Sequence, residues 1–110
     1  MNSFPQKLHE GCIAADEAAM AQRFAALANP ARIRILRHLA ATSSCCCGEV
    51  VEQFDLAQST VSQHLKVLVS AGLVNLIPDG QRSLYCIDAE AMTLLSTGLS
   101  DLAKTCCRDR

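Results

Sequence analysis

Residues 48–71, GEVVEQFDLAQSTVSQHLKVLVSA, decide the fold. Val50, Val51 and Phe54 fall on one side of a short helix over 48–54, and Asp55-Leu56-Ala57-Gln58 is a tight connection. A longer helix opens at Gln58 or Ser59 and runs to about Ala71, with Val61, Leu65 and Leu68 at i, i+4 and i+7. Gly72 follows as its C-terminal stop. A short helix, a tight turn and a longer helix that starts with polar residues form a helix-turn-helix pattern over 48–71.

Downstream, Leu73 to Ile77 reads as a strand, Pro78-Asp79-Gly80-Gln81-Arg82 carries strong turn signals, and Ser83 to Ile87 alternates as the return strand. A wing over 73–87 therefore follows the reading helix directly. Asp88 caps a last helix from about Ala89 to Cys107, whose apolar positions are Met92, Leu95, Leu99, Leu102 and Cys106. Steps of three and four residues make the narrow seam of a paired helix, and the simplest partner is a second copy across a two-fold axis. The other reading packs this helix on its own domain, with Leu94 widening the stripe.

Upstream, Asn29-Pro30 restarts the chain, because Asn is a good N-cap and Pro is tolerated at the first helical position. The following ARIRILRHLAA puts Ile33, Leu36 and Leu39 or Ala40 on one face and Arg34, Arg37 and His38 on others. Residues 16–27, DEAAMAQRFAAL, read as a helix burying Met20, Phe24 and Leu27, and residues 1–15 as an N-terminal arm. The expected architecture is one mainly α domain over 1–110 with a β-hairpin, in the order α-α-α-α-β-β-α: a winged helix-turn-helix that dimerises through helix 89–107.

The chain has 110 residues, half of them hydrophobic and 19% charged, which supports one packed core and excludes wholesale disorder. No apolar run approaches the ~18 residues of a membrane span, so no membrane partner is expected. No secretory signal is read at the N-terminus, and a cytoplasmic location is expected. Net charge is −1, so only a local patch can attract a polyanion. That patch is the stretch 58–68, where Gln58, Ser59, Thr60, Ser62, Gln63, His64 and Lys66 cover the face opposite Val61, Leu65 and Leu68. Gln and Ser suit base edges in the major groove of double-stranded operator DNA; Ser, Thr and Lys suit phosphate oxygens. No acidic residue occurs from Leu56 to Ile77. Gln81 and Arg82 at the wing tip reach a neighbouring backbone or minor groove. Arg32, Arg34 and Arg37 are either further phosphate ligands or a solvated helix face.

Seven cysteines are present, and five lie in the adjacent clusters Cys45-Cys46-Cys47 and Cys106-Cys107. An odd number in adjacent clusters does not make a disulfide framework, and in a reducing compartment such thiols read as soft-metal ligands or redox sensors. Zinc's separated ligand pairs are missing. Trivalent arsenic or antimony needs three thiolates, which Cys46, Cys47, Cys106 and Cys107 can supply, with Cys12 joining from the same or a second copy. The helix N-terminus at Gly48 favours thiolate there. Cys86 reads as a small apolar residue. The rival reading is a thiol-oxidation or persulfide switch. The spacing of His9, His38 and His64 suggests no Cys–His pair, and no Cys-x-x-Cys lies in a βαβ pattern, so an enzyme is not expected.

ALANPARIRILRHLA (26–40), LAQSTVSQHLKVLVSAGLV (56–74) and DGQRSLYCI (79–87) resemble the ArsR/SmtB family of metal-responsive transcriptional repressors. The Ser-x-x-Ser-x-His-Leu-x-x-Leu pattern of Ser59, Ser62, His64, Leu65 and Leu68 is specific to that resemblance. It implies a winged-helix homodimer that binds an operator when empty and releases it when an inducer binds, with Gln58, Ser59, Thr60, Ser62, Gln63 and His64 contacting DNA. The family's Cys-Val-Cys or Cys-Val-Gly segment is matched here by Cys46 at its first position and Gly48 at its last, with Cys45 and Cys47 as additions. The family's zinc site on the terminal helix needs histidine, and residues 89–107 contain none. Persulfide-sensing members carry one cysteine in the second helix and one in the last; helix 31–41 has none.

Overall fold

The computed structural model describes residues 6–42 and 45–107, with side-chain surroundings from 16 to 42 and from 46 to 106. The elements run α1 (Gln6–Leu27), α2 (Pro30–Ala40), β1 (Cys45–Cys46), α3 (Cys47–Gln53), α4 (Gln58–Ser70), β2 (Val74–Asp79), β3 (Arg82–Ile87) and α5 (Ala89–Cys107). The helix-turn-helix, the wing and the terminal helix lie where the sequence puts them. Two elements differ. α1 begins at Gln6, so helix replaces the expected arm from that residue on. Between Pro5 and Asn29 the one breaker is Gly11, which costs a helix only about 1 kcal/mol. The expected irregular break before Gly48 contains β1, which pairs antiparallel with β3 through Cys45–Tyr85 and Cys46–Leu84. The sheet order is β1-β3-β2, so β2 is an edge strand.

Local chemistry sets the boundaries. Asn29 Oδ1 accepts from the N–H groups of Ala31 at 2.8 Å and Arg32 at 3.2 Å, and Pro30 follows at the first helical position. Asp88 Oδ1 accepts from Ala91 N–H at 3.0 Å and starts α5. At the end of α4, Gly72 N–H donates to Val69 O and Leu73 N–H to Leu68 O, both at 3.0 Å. This paired arrangement requires a left-handed residue, and Gly72 has φ +82°. The Nε–H of Arg23 in α1 donates to Ala71 O at 3.2 Å, placing a cation on the negative end of the α4 dipole.

The core gathers around α4. Val61, Leu65 and Leu68 are fully buried with Ile35 and Leu39 of α2, Val50 of α3, and Leu73 and Val74 beside them. On α2 the expected Ile33 is 40% exposed and Ile35 takes its place, because α2 turns its 35/36/39 stripe to the core. Met20, Phe24 and Leu27 pack on the core's margin, and Ala26 is the buried residue among the described side chains of α1. α5 divides. Ala91 and Leu95 are buried, whereas Leu94, Leu99 and Leu102 are 57%, 53% and 49% exposed. Gly98 admits Met20 of α1, whose sulfur lies 2.6 Å from where a Cβ would stand. The apolar stripe of α5 thus continues past its own domain and is uncovered there. The radius of gyration, 17.1 Å, exceeds the about 13 Å of a compact chain of this length.

His64 lies at the α2–α4 seam. Its Nδ1 is 3.4 Å from Arg32 Nη1, which assigns the ring proton to Nε2. Burial, and then the Arg32 charge, hold its pKa below the ordinary 6.5.

Two outcomes follow from these contacts. Gly72→Ala forces a left-handed alanine whose Cβ meets Arg23 Nη2 at 3.3 Å; it should lower unfolding free energy by about 1–2 kcal/mol in urea titration. A neutral folded His64 becomes destabilising once the unfolded chain gains a proton that the fold excludes. Its contribution is therefore present above the ordinary value and lost as pH falls through it. Between about pH 7.5 and about pH 5.5 the urea midpoint should fall more for the natural protein than for His64→Gln.

Candidate nucleic-acid interface and thiol cluster

Burying one stripe of a rigid helix aims the opposite stripe outward. On α4 the outward side chains are Gln58, Ser59, Thr60, Ser62, Gln63 and Lys66, all exposed. His64 is the exception to the expected contact face: the structure turns it to Arg32, because position 64 borders the buried 61/65/68 stripe. The N-cap of α4, Ala57, offers no side-chain acceptor, so the amides of the first turn stay available to an anion. With no carboxylate from 56 to 77, the surface is made of neutral donors and acceptors plus Lys66.

The wing tip is equally open. Gln81 is exposed, and Arg82 Nη2 lies 3.4 Å from Asp79 Oδ2 across the turn. Both partners are more than half exposed, so this pair is weak and the guanidinium can exchange Asp79 for a phosphate. Arg34 is engaged elsewhere, its guanidinium 5.6 Å from the Phe54 ring centroid, while His38 meets the same ring edge-on at 6.0 Å.

Cys46 and Cys47 sit at the joint between β1 and α3. The Cys46 N–H donates to Glu49 Oε1 at 2.8 Å, and this bond, with a smaller one from the Cys46 side chain, holds the Glu49 carboxyl below its usual range. The Cys-x-x-Glu spacing of a capping box was the sequence signal for Glu49. Cys47 is half-buried, and burial, with Cys46 adding to it, pushes its thiol up. The expected thiolate at this helix start is thus opposed by desolvation. Burial and the adjacent Cys47 likewise raise the Tyr85 hydroxyl.

Cys106 is exposed near the end of α5, and Cys86 is half-buried in β3. Among the described residues no three metal-ligating side chains converge, so one protomer does not bring Cys46, Cys47 and Cys106 together. The side chains of Cys12, Cys45 and Cys107 lie outside the described residues. No described helix is long and apolar enough to cross a membrane.

A helix-turn-helix domain family matches residues 27–77. The arsenical resistance operon repressor of Bacillus subtilis is 37% identical over 79 residues, 71% of this chain and 75% of that protein. An ArsR-like transcriptional regulator from Rhodococcus superposes with a TM-score of 0.77 at 22% identity, covering 84% of this chain and 87% of that one. A homodimeric winged helix-turn-helix DNA-binding domain from Mycobacterium bovis superposes with a TM-score of 0.67 at 23% identity, covering 94% and 92%. The matched repressor, the winged-helix topology and the outward polar stripe of α4 agree: the chain belongs to the ArsR/SmtB family of DNA-binding transcriptional regulators, not to an enzyme family.

Proposed function

We propose that the chain is a homodimeric repressor that grips an inverted-repeat operator and lets go when its thiols bind trivalent arsenic or antimony. The observation that carries the DNA half is the exposed, carboxylate-free outer face of α4, with a second exposed cation, Arg82, at the wing tip. Base-edge contacts fall to Gln58, Ser59, Thr60, Ser62 and Gln63, and phosphate contacts to Lys66, Gln81 and Arg82. One reading helix grips too little DNA for a specific complex. Two, held about 34 Å apart, read successive major grooves. The uncovered Leu94, Leu99 and Leu102 of α5 support the pairing, since a second copy removes this stripe from water.

Cys46 and Cys47 support the inducer half. They lie in the joint that leads into α3, and α3 is the element immediately before α4. Cys12 or Cys107 from either copy, or Cys106 of a second copy, completes a three-thiol set. Three thiols exchange with the three hydroxyls of arsenous acid and release three waters, with no change of oxidation state. The thiol protons leave on the hydroxyls, so the raised Cys47 pKa is no obstacle. Emptying an operator from ~99% to ~1% occupancy requires the inducer to favour the released conformation by ~5.5 kcal/mol. Pulling Cys46 toward an ion competes with its bond to Glu49, so the start of α3 is where that preference arises.

Two measurements check this reading. Leu99→Glu with Leu102→Glu should give a monomer at micromolar concentration by sedimentation and lose palindrome binding at least tenfold while keeping its helical circular dichroism. Sodium arsenite should weaken operator binding of the natural protein in fluorescence anisotropy, and Cys46→Ser and Cys47→Ser should abolish the response without changing metal-free affinity. Unchanged DNA affinity at saturating arsenite rejects the inducer assignment; release by polysulfide with a mass gain on Cys106 or Cys107 replaces it with the persulfide reading.

A further inference from the structure

A cleft of about 430 Å³ opens between the end of α1, the first turn of α2 and the outer side of α4. Arg32 and Lys66 supply two cations, Gln22 and Gln63 two amides, and Ala26 and Val67 an apolar floor. No carboxylate lines it. Among the described residues the one ion pair is Arg82–Asp79, so neither Arg32 nor Lys66 has an acidic partner there. Two cations facing one cleft without a counter-charge, in a chain of net charge −1, call for an anion from outside.

Arg32 is already positioned for one. Its Nε–H donates to Ala26 O at 2.7 Å, and Nη1 lies against His64. These contacts hold the plane of the guanidinium and leave Nη2 without a described partner. A guanidinium fixed in this way loses little rotamer entropy when it meets an oxygen ligand. Lys66 is exposed, makes no described hydrogen bond or ion pair, and swings in from the other wall.

Continuity selects the ligand. Gln63 and Lys66 also line a neighbouring cleft of about 250 Å³ with Ser59 and Ser62, the outward hydroxyls of the reading helix. A strand whose bases meet Ser59 and Ser62 therefore continues past Lys66 toward Arg32. We infer that Arg32 and Lys66 seat one phosphodiester of the bound DNA, flanking the bases read by α4. The apolar floor at Ala26 and Val67 suits the carbon face of the adjoining deoxyribose. The arrangement draws α2 into the interface and makes Arg32 a ligand as well as the residue that locates His64. This inference rests on the DNA-binding reading and extends it to a residue outside the helix-turn-helix.

The salt dependence of binding tests it. Each phosphate contact contributes about 0.9 to the slope of log affinity against log salt. Lys66→Gln, carried by both protomers of the dimer, should lower that slope by about 1.8, two contacts' worth, and weaken a palindromic and an unrelated duplex by the same factor; Lys66→Arg should restore it. Arg32→Gln should do the same, with its circular dichroism and urea midpoint recorded alongside. Lys66 is exposed and makes no described hydrogen bond or ion pair, so the test survives if Arg32→Gln fails to fold. Lys104→Gln, on α5 and outside the cleft, should leave the slope intact. Titrating inorganic phosphate into the DNA-free protein, followed at the Gln63 and Val67 amides by NMR, separates the two sources of this chemistry. Saturation below millimolar phosphate, with a slope that Lys66→Gln leaves unchanged, reassigns the cleft to a free anion and overturns the proposal. An unchanged slope without phosphate binding overturns it as well. A natural protein that binds no duplex at low salt removes the DNA-binding reading itself; one that binds with a full slope insensitive to Lys66→Gln removes this inference and the Lys66 phosphate contact, and leaves operator binding through the rest of α4 and the wing standing.

Discussion

Burial of Val61, Leu65 and Leu68 against Ile35, Leu39, Val50 and Leu73 is the constraint on which the molecule's surface chemistry depends. Each such side chain contributes about 1.5–3 kcal/mol when removed from water. The stripe fixes the rotation of α4 about its axis. Rotation by one residue, about 100°, would put leucine on the outside and Ser62 in the core. The same packing therefore stabilises the fold and chooses which groups α4 turns outward. Two contacts refine the aim. Arg23 holds the Ala71 carbonyl at the end of α4, and Arg32 holds its middle through His64.

The parts legible in the sequence are those with a local cause. Asn29-Pro30, Gly72 and Asp88 end or begin helices by hydrogen bonds within a few residues, and each acts as its residue type predicts. The 61/65/68 stripe is equally local, since its period is enough to define the face. What stayed illegible depends on distant partners. β1 is two residues long and exists because β3 runs beside it, and no periodicity appears over so short a span. On α2, Ile33 lies about 60° from Leu36 around the helix and Ile35 about 100° on the other side, so periodicity favours Ile33, and only the position of α4 turns Ile35 inward. His64 reads as one more polar residue of α4 until Arg32 stands next to it, and the pair is 32 positions apart in the chain.

The thiol half was less legible than the DNA half for a related reason. A reading face is built by one helix, whereas a soft-ion site needs atoms from several elements. Adjacency in sequence put Cys46 and Cys47 at one joint, but it says nothing about the third ligand. The environment also works in opposite directions there. The helix start draws charge toward Cys47 while its burial resists it, and the resistance prevails. The proposed ligand exchange therefore starts at Cys47 from the protonated thiol.

The wing carries its hydrophobic residues Leu76 and Ile77 on β2, at 48% and 43% exposure, along the open edge of the sheet. An uncovered, apolar edge is a template for another chain. Pro78 stands in that strand opposite Ser83, one step from the Asp79–Arg82 pair that closes the turn. Antiparallel alternation turns the nitrogen at this step away from β3, which is why the strand accepts proline there. The outward rim of the wing then withholds a donor from any incoming strand, so crowded neighbours on adjacent binding sites are denied a route to stitching their wings into a shared ribbon.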